Sequence, residues 1–239
     1  MITSDVYGSE HRIDPSGEFA AWLDPRHTAV ISIDMHEGHL SEDPDCPCPA
    51  PRGREIIGAV DAFHRAARTA GVPVIHVRST VRASGVDDVR GASPSAWRLT
   101  FPQHVGEITG ADGHALEGSR WTEFVTEVAP GDEIVSGKKR LSAFYPTDLD
   151  FLLRQLGVRA VVLDGIMADC CVLNSAFDAS NLGYRVVVPN DLVRGTDEHL
   201  EDAALAMVSL HLGLVLPSGS LLEAWGRVPV SEPADTLAA

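Results

Sequence analysis

Six short runs rich in β-branched residues, at 28–34, 73–80, 133–137, 160–166, 185–191 and 212–217, limit the folds open to this chain more than any other feature. Several of them, such as Ala160-Val161-Val162-Leu163 and Val186-Val187-Val188, are apolar at consecutive rather than alternate positions. A strand with one wet face alternates, so a strand without alternation is covered on both faces. Helical patterns lie between most of the runs. Across 54–69, Ile57, Val60, Phe63 and Ala67 form one stripe, and Gly71 with Pro73 ends it. Thr147, with Asp150 three residues on, reads as an N-cap for Leu149, Leu152, Leu153 and Leu156, closed by Gly157. Thr196, with Asp197 and Glu198, opens a further helix carrying Leu200, Ala203, Leu205, Met207 and Val208. This alternation predicts an α/β fold in three αβα layers, Rossmann-like, with a six-stranded mostly parallel sheet and helices on both faces. Functional groups are then expected at the carboxyl ends of the strands.

The chain's 239 residues, 44% of them apolar and 22% charged, suit one α/β domain over 1–239, its compact part at about 28–228 with peripheral arms at either end. The net charge of −15 repels phosphate backbones and anionic lipid, which argues against nucleic-acid and membrane partners. The longest apolar stretch, near 206–216, is interrupted by Ser209 and His211 and falls short of a membrane span. Residues 1–10 carry Asp5, Ser9 and Glu10 where a secretory leader needs basic and then apolar residues, so a cytoplasmic location is expected. Cys46, Cys48, Cys170 and Cys171 are too few and too clustered for a disulfide framework and read as reduced thiols. Residues 82–119, rich in Gly, Ser and Asp, interrupt the rhythm and read equally well as a cover over a site or as a surface insertion.

Three segments carry reactive groups at predicted strand ends. Asp34 closes Ile31-Ser32-Ile33-Asp34, where a carboxylate points into the crevice or, the commoner role of an isolated Asp, caps a turn. Lys138, Lys139 and Arg140 follow the third run and lead into an apolar Ser142-Ala143-Phe144, unlike a solvated basic turn. In Gly165-Ile166-Met167-Ala168-Asp169-Cys170-Cys171, an apolar strand passes into a helix whose first turn lowers a thiol's pKa through its unpaired N–H groups. Cys170 shares a helical stripe with Leu173 and Phe177, and Cys171 with Asn174, Ser175 and Asp178, so Cys171 is expected on the more polar face and preferred as nucleophile.

Ile33-Asp34-Met35, Lys138-x-Arg140-x-Ser142-Ala143-Phe144 and Gly165-x-x-Ala168-Asp169-x-Cys171-Val172, followed by Ala176-x-Asp178-Ala179, resemble the isochorismatase-like cysteine hydrolases, a family related to the nicotinamidases. The resemblance covers roughly residues 28–216 and implies a general base at Asp34, a pairing cation at Lys138 and a nucleophile at Cys171. It also implies a cis peptide at Ile166–Met167 and an oxyanion site made by the backbone N–H groups of Ala168 and Cys171. Nicotinamidases hold a divalent metal with Asp-x-His and a further His after the second strand. Here that strand ends His76-Val77-Arg78-Ser79-Thr80, so no metal and no other cofactor is expected. Cys46-Pro-Cys48 with His36 and His39 offers another donor set, although its spacing is not that of a usual zinc knuckle.

Where the family usually has Gln and an aromatic residue, this chain has His36 and His39. These two, with Trp97, Phe101, Trp121 and Phe144, are candidates to contact substrate. A retained cysteine points to C–N cleavage of a small amide, as in the metal-free carbamoyl and ureido branch, through a thioester. The alternatives are vinyl-ether hydrolysis and a catalytically idle binding subunit. The family's habit of forming dimers or tetramers makes a homo-oligomer the expected assembly.

Overall fold

A computed structural model describes residues 1–87 and 99–226. Its strands in chain order are β1 (Ile2–Val6), β2 (Ser9–Ile13), β3 (Thr28–Ile33), β4 (Val74–Ser79), β5 (Glu133–Lys138), β6 (Ala160–Ile166), β7 (Arg185–Pro189), β8 (Val193–Arg194) and β9 (Gly213–Leu216). They form one sheet in the order β2-β1-β9-β7-β6-β3-β4-β5, with the short β8 pairing onto β6. From β9 to β5 every neighbouring pair is parallel, which gives the six strands expected from the apolar runs.

Alternate residues of a strand face opposite layers, and both layers are apolar. Val30, Val162 and Val187 meet Val60, Phe63 and Ala67 of the helix Ile57–Thr69 and Leu221, Ala224 and Trp225 of the helix Ser218–Gly226. Ile31, Ile33, Val161 and Leu163 meet the other layer, formed by the helices Leu149–Gln155, Leu173–Asn181 and Glu198–Met207. Each such aliphatic side chain contributes about 1.5–3 kcal/mol when fully buried, so the uninterrupted apolar runs reflect use of both faces. Among the described residues no helix is long and apolar enough to cross a membrane.

The N-terminal segment expected as a peripheral arm instead extends the sheet. β1 and β2 form an antiparallel hairpin, and β1 joins the edge of β9. Ile2 is buried and the Ser4 hydroxyl donates to the Val215 carbonyl at 3.0 Å. The all-polar SEHR of β2 is solvent-exposed, so hydropathy could not reveal it. Helix starts also shift slightly. Thr147 does accept from the Leu149 N–H at 3.3 Å, but the last helix of that layer is capped by Asp197, which accepts from Leu200 N–H at 2.8 Å. Thr196 instead binds the Asp169 carboxylate through its N–H (2.7 Å) and its hydroxyl (2.8 Å), tying this helix to the turn that carries the cysteines.

Beyond β4 the chain leaves the sheet and returns where Val81 N–H donates to the Ala115 carbonyl and Glu117 N–H to the Val81 carbonyl, at 2.7 and 2.9 Å. In the described part of this excursion Phe101 sits in the core cluster that also holds Cys48 and Met167, so that part covers the segment after β3. Trp97 lies outside the described residues.

Candidate active site

β3, β4, β5 and β6 are neighbours, so their carboxyl ends place four polar side chains around one point. Asp34 follows β3 with a positive φ of 55° and is fully buried. Its Oδ1 accepts from the Ser79 N–H at 3.2 Å and the Ser79 hydroxyl at 3.1 Å. Its Oδ2 accepts from Lys138 Nζ at 2.6 Å. Lys138, the last residue of β5, is 2% exposed. Its Nζ also donates to Ser79 Oγ at 2.9 Å and to Cys171 Sγ at 3.3 Å. Lys139 points elsewhere, to the Thr80 carbonyl at 2.6 Å and to Asp87 at 3.1 Å, as strand alternation requires.

Burial alone would raise the Asp34 carboxyl, but the Lys138 ammonium and His36 hold it well below the usual carboxylate range. Burial works against the charge on Lys138, and Asp34 and Cys171 overcome it, raising the ammonium above its ordinary value. The pair is therefore ionised across the working range of pH. Cys171 runs against the expectation of a lowered thiol. Its hydrogen bond to Cys170, with sulfurs 3.9 Å apart, and its burial push it well up despite the Lys138 charge. The Cys171 sulfur accepts from the Lys138 ammonium, which in turn holds the Asp34 carboxylate.

The faces follow the expectation only in part: Asn174 on the Cys171 stripe is exposed, and Leu173 on the Cys170 stripe packs against the second core cluster. Ser175, on the Cys171 stripe, is fully buried and donates to the Cys171 carbonyl at 2.7 Å while accepting from the Ala143 N–H at 2.9 Å. Phe177, on the Cys170 stripe, is 38% exposed. Cys171 is the inward cysteine of the pair, and Lys138 Nζ donates to its sulfur. The Ile166–Met167 bond is cis, and a π-helical turn, Ala168–Val172, follows. In it the Cys170 and Val172 N–H groups both donate to the Met167 carbonyl at 3.0 and 3.1 Å, a pairing in which those of Ala168 and Cys171 take no part.

Of the candidate substrate contacts, the structure brings His36 and His39 to the triad, with Trp121 near them, and takes Phe101 and Phe144 into packing. His36 is fully buried, its Nε2 3.7 Å from Asp34 Oδ1, and its ring lies 4.6 Å from that of His39. Burial and the neighbouring His36 lower His39 to about 3, so it is neutral at pH 7. Trp121 lies beside the turn Glu37–Leu40, its carbonyl close to Gly38 and its ring under the Arg120 guanidinium at 4.0 Å. Phe101 is packed in the core. Phe144, expected as a substrate contact, stacks on Tyr184 in the helix layer, ring centroids 6.1 Å apart. Its apolar character serves the second core cluster.

Ser79 was missed by the sequence reading, although it ends β4 as Asp34 follows β3 and could have been found by the same strand-end rule. The end of β4 does not fit a divalent ion of the nicotinamidase kind. His76 is bonded to Asp132 at 3.0 Å within the sheet, and Arg78 donates to Ser136 at 2.8 Å.

An αβα sheet whose central strand ends bring a thiol, an ammonium and a carboxylate together defines the class of cysteine-dependent hydrolases. The chain belongs to the isochorismatase family, whose model, an isochorismatase domain, matches residues 28–219. It is 29% identical over 216 residues to a ureidoacrylate amidohydrolase of Caulobacter segnis, covering 86% of this chain and 89% of that one. It is also 29% identical over 170 residues to an N-carbamoylsarcosine amidase of an Arthrobacter species, covering 69% of this chain and 58% of that one. Among solved structures, a cysteine hydrolase from Pseudomonas syringae pv. phaseolicola 1448A shares the fold with a TM-score of 0.74 at 22% identity, over 86% of this chain and 95% of that chain.

Proposed function

We propose that the protein is an amidohydrolase that cleaves a non-peptide C–N bond of a small amide, carbamoyl or ureido compound, with Cys171 as nucleophile. The observation that carries this reading is the position of Lys138 Nζ, 2.6 Å from Asp34 and 3.3 Å from the Cys171 sulfur. The hydrogen bond to Cys170 and burial push the Cys171 thiol up, so attack and deprotonation are coupled: Asp34 takes the proton as sulfur bonds to the substrate carbonyl carbon. The oxyanion is held by the N–H groups of Ala168 and Cys171. Collapse of the tetrahedral adduct breaks the C–N bond, and Asp34 returns the proton to the departing nitrogen. Water then attacks the thioester, giving its proton to Asp34, and releases the acid and the thiol. The fixed Lys138 charge keeps the carboxylate ionised between these steps.

The relatives named for ureidoacrylate and N-carbamoylsarcosine support the carbamoyl and ureido class. The same reading takes the chain as one catalytic domain that works in the cytoplasm as a homo-oligomer. Incubation with carbamoyl, ureido and carboxamide compounds should release ammonia in the parent protein and none in Cys171→Ala. Turnover of a vinyl ether without ammonia, or full activity in Cys171→Ser, would overturn the proposal.

A further inference from the structure

We propose that His39, Cys48 and His114 form a binding site for a zinc-type divalent ion, distinct from the triad and joined to it through His36. Each of the three offers one ligand atom, and these atoms lie within 4.8 Å of one another. His39 lies in the turn after β3 and Cys48 further along the same segment, while His114 comes from the chain returning to β4. The rings of His39 and His114 are 5.1 Å apart and cross at 64°.

His39 Nδ1 lies 2.8 Å from the Cys48 carbonyl. A carbonyl only accepts, so Nδ1 carries the hydrogen and Nε2 keeps its lone pair. This is how metal-binding imidazoles are oriented, by a hydrogen bond from the nitrogen that does not ligate. A second observation comes from His36, which is fully buried against His39 with neither ring nitrogen within hydrogen-bond distance of a partner, Nε2 standing 3.7 Å from Asp34 Oδ1. A buried imidazole nitrogen left without a hydrogen bond is costly, and an oxygen ligand on a neighbouring ion would supply one.

Two imidazoles and a thiolate suit zinc in preference to calcium or magnesium, and three protein ligands leave a fourth position for water or a substrate oxygen. Zinc bond lengths place such ligand atoms about 3.5 Å apart, so the shell closes by roughly an ångström on binding. The Cys48 thiol gives its proton to solvent as the sulfur–metal bond forms. This set is not the Asp-x-His arrangement that β4 lacks, and it reverses the metal-free expectation. It also redraws the donor set weighed from the sequence. Cys46 is outside it, with its thiol donating to the Gly38 carbonyl at 3.4 Å, and His114 enters from a distant segment.

The test is metal binding by the full chain, which needs no turnover and stands whether or not the amidohydrolase reading does. Protein stripped with a chelator is titrated with cobalt(II) and, separately, zinc, read by thiolate-to-cobalt absorption and by elemental analysis. One equivalent per chain is expected, with the thiolate band present in Cys46→Ser and Cys171→Ala and absent in Cys48→Ser. His114→Ala should weaken binding about tenfold or more, and serves with the same readout if Cys48→Ser fails to fold. No band in the parent protein, a band that survives Cys48→Ser, or one lost in Cys171→Ala overturns the site.

Discussion

Lys138 is 2% exposed yet touches a carboxylate, a hydroxyl and a sulfur, and the residues around it behave as one unit. Lys138→Ala strands a buried carboxylate and should cost about 3–5 kcal/mol in chemical denaturation as well as abolishing turnover. Lys139→Ala, at a site joined to Thr80 and Asp87, should leave turnover near the parent value. Ser79→Ala removes one hydrogen bond to Asp34 and the acceptor of one from Lys138 and should cost about 1–3 kcal/mol. The Ser79 main-chain N–H survives in that variant, so only the hydroxyl's share is lost; a stability equal to the parent's would show the hydroxyl to be dispensable.

At the scale of elements, close contact between β3 and β6 sets the position of the nucleophile turn. Gly165 has a φ of +101°, and a Cβ there would lie 2.2 Å from the Ile33 carbonyl oxygen. Gly165→Ala should therefore give no soluble folded protein, judged by circular dichroism and gel filtration. Beneath the helix Ile57–Thr69 the sheet carries a polar row in which Ser32 pairs in register with His76 on β4 and Asp164 on β6. His64 binds Asp164 at 2.8 Å, and His76 binds Asp132, which Arg68 also holds at 2.6 Å.

Burial lowers His76 despite Asp132, so the unfolded chain takes up this proton first as pH falls from about 6.5. Burial raises and Arg68 and His76 lower Asp132, with a net fall; its contribution is present above the ordinary carboxylate value and lost as pH drops through the lower folded one. Melting temperature should decline in acid in these two stages. Asp132→Asn should remove the later one, and an unchanged acid limb would contradict the assignment.

For the whole molecule, the hairpin of β1 and β2 closes the β9 edge of the sheet. Removing residues 1–13 takes away the burial of Ile2 and the Ser4 bond and exposes the backbone of β9. A loss of about 3 kcal/mol, roughly 5–10 °C in Tm, is expected, together with faster aggregation on heating. An unchanged Tm would make the hairpin an ornament. The six parallel strands were legible to within a residue or two at most ends because burial on both faces writes itself into consecutive positions. The hairpin was not legible because an edge strand facing water carries no such pattern.

The sequence by itself determined the layered parallel sheet, and through it that Asp34, Lys138 and Cys171 would stand at neighbouring strand ends, since hydropathy and local spacing dictate elements and their order. Only the tertiary structure decided which way those ends face. It buried Cys171 rather than Cys170 and raised its thiol, sent Phe144 to Tyr184, added Ser79 to the triad, and brought His114 to His39 and Cys48. These outcomes depend on contacts between segments far apart in the chain and on the low-dielectric surroundings they create, neither of which a local pattern of residues contains.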